Sequence, residues 1–107
     1  MNALQTFSFE SKPVRSLFRD NEPWFVGKDV CAALDIKNHN DALARLDGDE
    51  RDGVGITDPI GRAQEITVVS EPGVYRLVFT SRTEAAERFK RDARFKRIDR
   101  RALLVND

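Results

Sequence analysis

Two short runs of alternating apolar and polar residues near the start of the chain constrain its fold most. The runs cover residues 6–10 and 14–19, and Ser11-Lys12-Pro13 interrupts them. A period of two places successive side chains on opposite faces of a strand, so the pattern predicts a β-hairpin. Residues 20–23 are typical of a turn, and Trp24-Phe25-Val26 suits a third strand. The first quarter of the chain is therefore predicted to be mostly sheet.

Helical spacing begins at Gly27. Residues 27–34 predict a helix of about two turns, and Asp35 follows as a left-handed cap. Asn38-His39-Asn40-Asp41 supplies an N-cap for a second short helix that ends in Asp47-Gly48. The two helices form a helix-turn-helix-like pair, an arrangement that can project one helix toward a groove or a protein cleft.

The segment 47–63 is rich in Gly, Asp and Pro. We interpret it as a polar, solvent-exposed loop with a weak edge strand near residues 54–57, because its acidic run lacks the ligand spacing of a calcium loop. A β-branched strand over residues 64–69 completes a second hairpin. Ser70 then caps a third helix, and Ser81-Arg82-Thr83-Glu84 matches a capping box that opens the last helix.

These elements predict an α+β fold with a small antiparallel sheet and about four short helices. A length of 107 residues, 40% of them hydrophobic, fits a single domain over residues 1–107. We expect Cys31 to be a small buried thiol of its core. Seven large apolar residues should share that core, because each lies on the apolar face of its own element: Trp24, Phe25, Val30, Leu34, Leu43, Leu77 and Phe89.

The residue counts argue against several classes of function. One His and one Cys exclude a disulfide framework and make a histidine-built metal centre or an activated nucleophile difficult to assemble. We therefore expect no catalysis, no cofactor and no small-molecule substrate. Because the chain has neither a targeting segment nor an apolar stretch of membrane-spanning length, we expect a cytoplasmic protein that does not engage membranes.

A net charge of zero conceals an uneven distribution. Residues 1–73 contain eight Lys and Arg against thirteen Asp and Glu, whereas residues 74–107 contain ten against five. Most of the basic residues are Arg, which favours bidentate contacts with phosphate or carboxylate. Either the acidic and basic parts neutralise each other, or the basic end contacts a partner.

Candidate contact residues for nucleic acid or a protein partner are the polar positions of the helix pair and the basic residues that follow. They are Lys28, Asn38, His39, Asn40, Arg45, Arg76, Arg82, Lys90, Arg91, Arg94, Lys96, Arg97, Arg100 and Arg101. For His39, a capping or solvent-exposed position in the turn between the helices is favoured over a contact with phosphate or a partner. A separate apolar stripe lies opposite the expected inner face of the last helix, and we expect it to form a homodimer or larger assembly: Phe95, Ile98, Ala102 and Val105.

Four separated blocks of the chain resemble, in order and spacing, the Bro-N domain of baculovirus repeated-ORF proteins and of phage and prophage antirepressors. The blocks are residues 24–34, 38–46, 70–78, and 81–82 with 85–91. The resemblance spans about residues 5–94, and the segment 92–107 diverges from it. It implies an α+β regulatory domain without a cofactor, associated with DNA binding in the viral proteins and with antagonism of a repressor in phage.

The resemblance thus implies a phage-type antirepressor domain that acts on a transcriptional repressor or on duplex DNA in the bacterial host. The acidic front part favours a protein target, since duplex binding draws much of its affinity from phosphate neutralisation. The basic tail favours DNA. The alternative is a homo-oligomerisation or scaffold module of a viral or prophage protein.

Overall fold

The computed structural model describes residues 5–9, 11–57 and 59–93. Within these ranges, five strands form one antiparallel sheet in the order β1-β2-β3-β5-β4. The strands are β1 (Gln5–Phe9), β2 (Lys12–Arg19), β3 (Glu22–Val26), β4 (Arg51–Thr57) and β5 (Ala63–Ser70). The helices are α1 (Gly27–Ala33), α2 (His39–Ala44), α3 (Glu71–Thr80) and α4 (Glu84–Ala93). The predicted α+β class is confirmed. No helix of the described ranges is long and apolar enough to cross a membrane.

The predicted N-terminal hairpins are confirmed, and their turns use left-handed backbone. Asp20 and Asn21 join β2 to β3 with φ of 53° and 63°. Asp and Asn tolerate this region better than most residues, and two positive φ angles give a turn whose twist matches that of the strands. Leu17 consequently lies directly opposite Trp24. The left-handed conformation expected at Asp35 is also present, with φ of 58°.

The second hairpin is more regular than the sequence suggests. β4 runs from Arg51 along the edge of the sheet and pairs with β5 as far as Thr57, which lies opposite Ala63. The predicted polar loop over residues 47–63 is therefore in large part a strand. Val54 is buried and Ile56 half-buried, so their alternation with glycine gives β4 one apolar face.

The main core lies between the helices and one face of the sheet. Phe25 and Val69 contribute from the strands, and each of the four helices adds apolar side chains. Cys31 is completely buried there, as predicted, and this burial raises the pKa of its thiol to about 11. The predicted core residues found buried in this cluster are Phe25, Val30, Leu34, Leu43 and Leu77, with Phe89 packed against them.

The prediction that Trp24 shares this core is wrong. Trp24 and Phe25 are neighbours in a strand, so they point to opposite faces of the sheet. Trp24 is half-buried in a second cluster on the face away from the main core, together with Leu17, Val26 and Val68. The Arg19 guanidinium lies 4.9 Å from the centre of the Trp24 ring.

The helix starts follow the predicted capping except in α4. Ser70 accepts a hydrogen bond of 3.2 Å from the Gly73 amide and caps α3. In α4 the prediction that Ser81 is the cap is wrong, because its hydroxyl accepts from the amide of Thr83, which lies before the first residue of the helix, Glu84. Thr83 takes the role instead, and its hydroxyl accepts from the Ala86 amide at 3.1 Å.

Candidate binding groove beside β5

A groove of about 270 Å³ lies where the middle of the sheet is incomplete. β3 ends at Val26, opposite Val68, whereas β5 continues back to Ala63. β2 likewise extends beyond the end of β3 on the other side. We call this depression the β5 groove; its lining residues are Arg15, Val26, Lys28, His39, Asn40, Leu43, Gln64, Glu65, Ile66 and Thr67.

The β2 side of the groove is fixed by an ion pair. Asp29 Oδ2 accepts from the Arg15 backbone amide at 3.0 Å and from Arg15 Nε at 2.8 Å. Its other carboxylate oxygen accepts from Arg15 Nη2 at 3.0 Å. Burial alone would raise the pKa of Asp29, but the hydrogen bonds from Arg15 and the positive charges of Arg15 and Lys28 outweigh it and lower this pKa. The same hydrogen bonding raises the pKa of Arg15, against the effect of its own desolvation.

Three of the predicted contact residues, Lys28, His39 and Asn40, meet in the β5 groove. Gly27 explains why. A Cβ at this position would lie 2.9 Å from Leu43 Cδ2 and 3.2 Å from Val69 Cγ2, so a larger residue here would displace the Leu43 side chain of α2. That packing places the first turn of α2 beside Lys28, whose side chain is exposed.

The β5 side of the groove was not predicted from the sequence. Glu65 and Thr67 belong to the strand and line the groove. The Glu65 carboxyl group nevertheless lies over Gly53 of β4, where a Cβ would be 3.1 Å from Glu65 Cδ. The run of β-branched residues in β5 predicted the strand, but nothing in the local sequence indicated that β3 would end before it.

The structure assigns several other predicted contact residues to interactions within the domain. Asn38 caps α2 by accepting from the Asp41 amide at 3.3 Å. Arg45 is exposed and ion-paired with Asp41 one helical turn earlier. Lys90 donates to the Ser81 carbonyl oxygen at 3.2 Å and to Glu87 at 3.1 Å.

Arg76 holds together the region that was predicted to be a solvent-exposed acidic loop. Its Nε donates to Glu50 Oε1 at 2.7 Å and to Oε2 at 3.0 Å. Glu50 is buried, which corrects the prediction, and it also accepts from the Asp47 amide at 2.9 Å. The Arg76 hydrogen bond, with further help from the Asp47 amide and against the cost of burial, lowers the pKa of Glu50. Because Glu50 and Arg76 are 26 residues apart in the sequence, no local sequence pattern predicts this pair.

Arg82 and Arg91 are exposed, and no ion pair joins either of them to another described residue. The remaining predicted contacts, Arg94, Lys96, Arg97, Arg100 and Arg101, lie outside the described residues, as does the predicted interface of Phe95, Ile98, Ala102 and Val105. In the part of the chain that the structure covers, no three His, Cys, Asp or Glu side chains are grouped to hold a metal ion.

The fold and the groove define a small α+β domain whose helices cover one face of an antiparallel sheet and whose surface groove opens beside a central strand. The chain belongs to the BRO family, as its N-terminal domain, and the family model matches residues 13–94. Bro-N domains are associated with phage antirepressors and with DNA-binding regulation.

A relative in Haemophilus influenzae strain Rd, described as an uncharacterized protein, is 39% identical over 88 residues. The match covers 79% of this chain and 43% of the relative, so the chain spans less than half of that protein's length. No solved structure matches the chain significantly.

Proposed function

We propose that this domain is a non-enzymatic binding module of an antirepressor-type regulator and that its target is a transcriptional repressor protein. The observation that supports a protein target over duplex DNA is the pairing of basic residues within the domain. Carboxylates hold many of the described cations in ion pairs: Lys12–Asp35, Arg15–Asp29, Arg19–Asp52, Arg45–Asp41, Arg76–Glu50 and Lys90–Glu87.

This pairing matters because duplex binding depends on phosphate neutralisation. Each contact between a phosphate and a cation contributes about 0.9 to the slope of log affinity against log salt. A cation already paired with a carboxylate has to break that pair before it can neutralise a phosphate. In the β5 groove, Arg15 is paired in this way, and Lys28 is an exposed cation without an ion pair among the described residues. One such cation suits an acidic side chain of a protein better than the repeating charge of a duplex.

The test is a pair of titrations at about 50 mM and about 200 mM salt. Labelled duplex DNA is compared with purified repressors encoded in the same genome, using the full chain. We expect at least one repressor to bind, with Lys28→Glu weakening the complex about tenfold or more.

The matched control is Lys37→Glu, which makes the same charge change at an exposed lysine outside the groove and should bind the repressor like the wild type. The proposal is wrong if no repressor binds and a duplex binds at sub-micromolar affinity with a steep salt slope. Equal weakening by both lysine variants would also contradict the groove as the contact surface.

A further inference from the structure

We infer that the β5 groove takes an extended segment of the partner protein as an added strand on the free side of β5. The inference rests on the proposed function, since it specifies how a protein target is held. It goes further by naming the backbone of β5, rather than a set of side chains, as the main recognition element.

The direction of the β5 backbone groups follows from one hydrogen bond. The Ser70 amide donates to the Glu50 carbonyl oxygen at 2.9 Å, on the β4 side of the strand. Backbone groups along an antiparallel strand alternate between its two neighbours. Residues 64, 66, 68 and 70 therefore face β4, and the N–H and C=O groups of Glu65 and Thr67 face the side occupied by β3 further along.

β3 does not reach these two residues. Its pairing with β5 ends with Val26 opposite Val68, and no other described strand lies on that side of residues 63–67. Five residues of a strand span about 16 Å, and neighbouring strands lie about 4.8 Å apart. Because β3 separates β2 from β5 up to Val26, the gap beyond is about one strand wide. The Val26–Val68 pairing directs the Gly27 amide to the Thr67 carbonyl oxygen, so the groups left for a strand placed there are two donors, the Glu65 and Thr67 amides, and one acceptor, the Glu65 carbonyl.

Charge complementarity indicates the side chains of the added strand. Asp29 neutralises Arg15, and the Glu65 carboxyl group lies over Gly53 of β4. Lys28 thus leaves the groove positively charged, with His39 beside it. Ile66, which is half-buried, supplies apolar surface to the same groove. A segment with a carboxylate next to an apolar residue fits this arrangement, since successive side chains of a strand point to opposite sides.

A pair of substitutions at one position separates backbone pairing from side-chain recognition. Glu65→Pro removes the N–H that faces the groove and leaves the amides that face β4 intact, whereas Glu65→Ala removes only the carboxyl group. The probe is a phage-displayed library of random 12-residue peptides, selected on the full wild-type chain. The enriched peptides are then synthesised and titrated by calorimetry against the wild type and both variants.

We expect binding to Glu65→Ala within about twofold of wild type and binding to Glu65→Pro at least about tenfold weaker, with similar melting temperatures. If Glu65→Pro fails to fold, N-methylation of single peptide amides gives the same information on the wild-type domain. Methylation at every second position should abolish binding, and methylation at the positions between should not.

Three results overturn strand addition: no peptide is enriched, the two Glu65 variants bind equally, or N-methylation has no alternating effect. Failure of strand addition is distinct from failure of the proposed function. If a repressor binds the wild type and Glu65→Pro equally well, the result contradicts strand addition but still supports a protein target. If no repressor binds the wild type at all, the proposed function itself fails.

Discussion

The Thr83 hydroxyl donates a hydrogen bond of 2.5 Å to the carbonyl oxygen of Leu34. Leu34 is the C-cap of α1, and Thr83 immediately precedes α4. The same hydroxyl accepts from the Ala86 amide, so one side chain satisfies a carbonyl at the end of α1 and an amide at the start of α4. The position of α4 on the main core therefore depends on this residue.

Substitution of Thr83 tests that dependence. Thr83→Val keeps the shape and removes the hydroxyl, and we expect a loss of about 1–2 kcal/mol in the free energy of unfolding, as for other N-cap deletions. Thr83→Ser keeps the hydroxyl and should lose much less. Urea denaturation of the three proteins makes the comparison, and equal stability of the Val variant and the wild type would contradict it.

Acid should weaken the Glu50–Arg76 interaction. The pKa of Glu50 is lowered in the folded protein, so the carboxylate contributes stability that is fully present above its ordinary pKa. That stability is lost as the pH falls through the lowered value. We expect the melting temperature of the wild type to exceed that of Glu50→Gln near neutral pH and the difference to narrow below about pH 4. A difference that is unchanged across this range would contradict the ion pair.

Alanine substitutions at the two neighbouring aromatic residues of β3 should lower the free energy of unfolding by different amounts. Phe25 is 1% exposed in the main core, and Phe25→Ala is expected to cost about 3–5 kcal/mol. Trp24 is half-buried on the opposite face and carries the Arg19 guanidinium, so Trp24→Ala should cost less. Chemical denaturation of both variants measures which substitution causes the larger loss in the free energy of unfolding. A larger loss for Trp24→Ala would show that the second cluster is the dominant one.

The apolar stripe predicted in the C-terminal segment gives an expectation about assembly. We expect a homodimer or larger species by light scattering at high micromolar concentration, with Phe95→Asp combined with Ile98→Asp producing the monomer. A monomeric wild type, or a dimer that the double variant does not affect, would refute the predicted interface.

The basic run of the same segment gives a separate expectation. If Arg97 and Arg101 contact phosphates, the double variant Arg97→Glu, Arg101→Glu should lower the salt slope of duplex binding by about 0.9 for each lost contact. If they meet an acidic repressor surface, the variant should slow association with the repressor instead. Since we propose a protein target, we expect the second outcome, which stopped-flow association rates measure.

Local sequence patterns predict most of the elements because the decisive interactions are local. Asn38 and Ser70 cap their helices through amides three residues away, and Asp35 adopts its positive φ at the end of α1. The error at Trp24 has a different cause. A run of three apolar residues in a central strand is buried on both faces, so alternation no longer shows which face each residue occupies.

The candidate site is only partly visible in the sequence for a related reason. Lys28, His39 and Asn40 were predicted as contacts because they lie at polar positions of the short helix pair. The contribution of Glu65 and Thr67 depends on where β3 ends relative to β5, which is a property of strand register. Glu50 was mistaken for a solvent-exposed residue because its partner Arg76 lies on a later helix.

The carboxylate of Asp29 occupies the place that a main-chain carbonyl would take if β3 were longer. Because it accepts from the Arg15 amide, this backbone donor of β2 is not available to an added strand, whereas the Glu65 backbone groups of β5 are. An added strand can consequently form backbone hydrogen bonds with β5 alone, and it does not connect β5 to β2. Dissociation of the added strand therefore breaks no hydrogen bonds of the domain's own sheet, because β2 and β5 are already connected through β3.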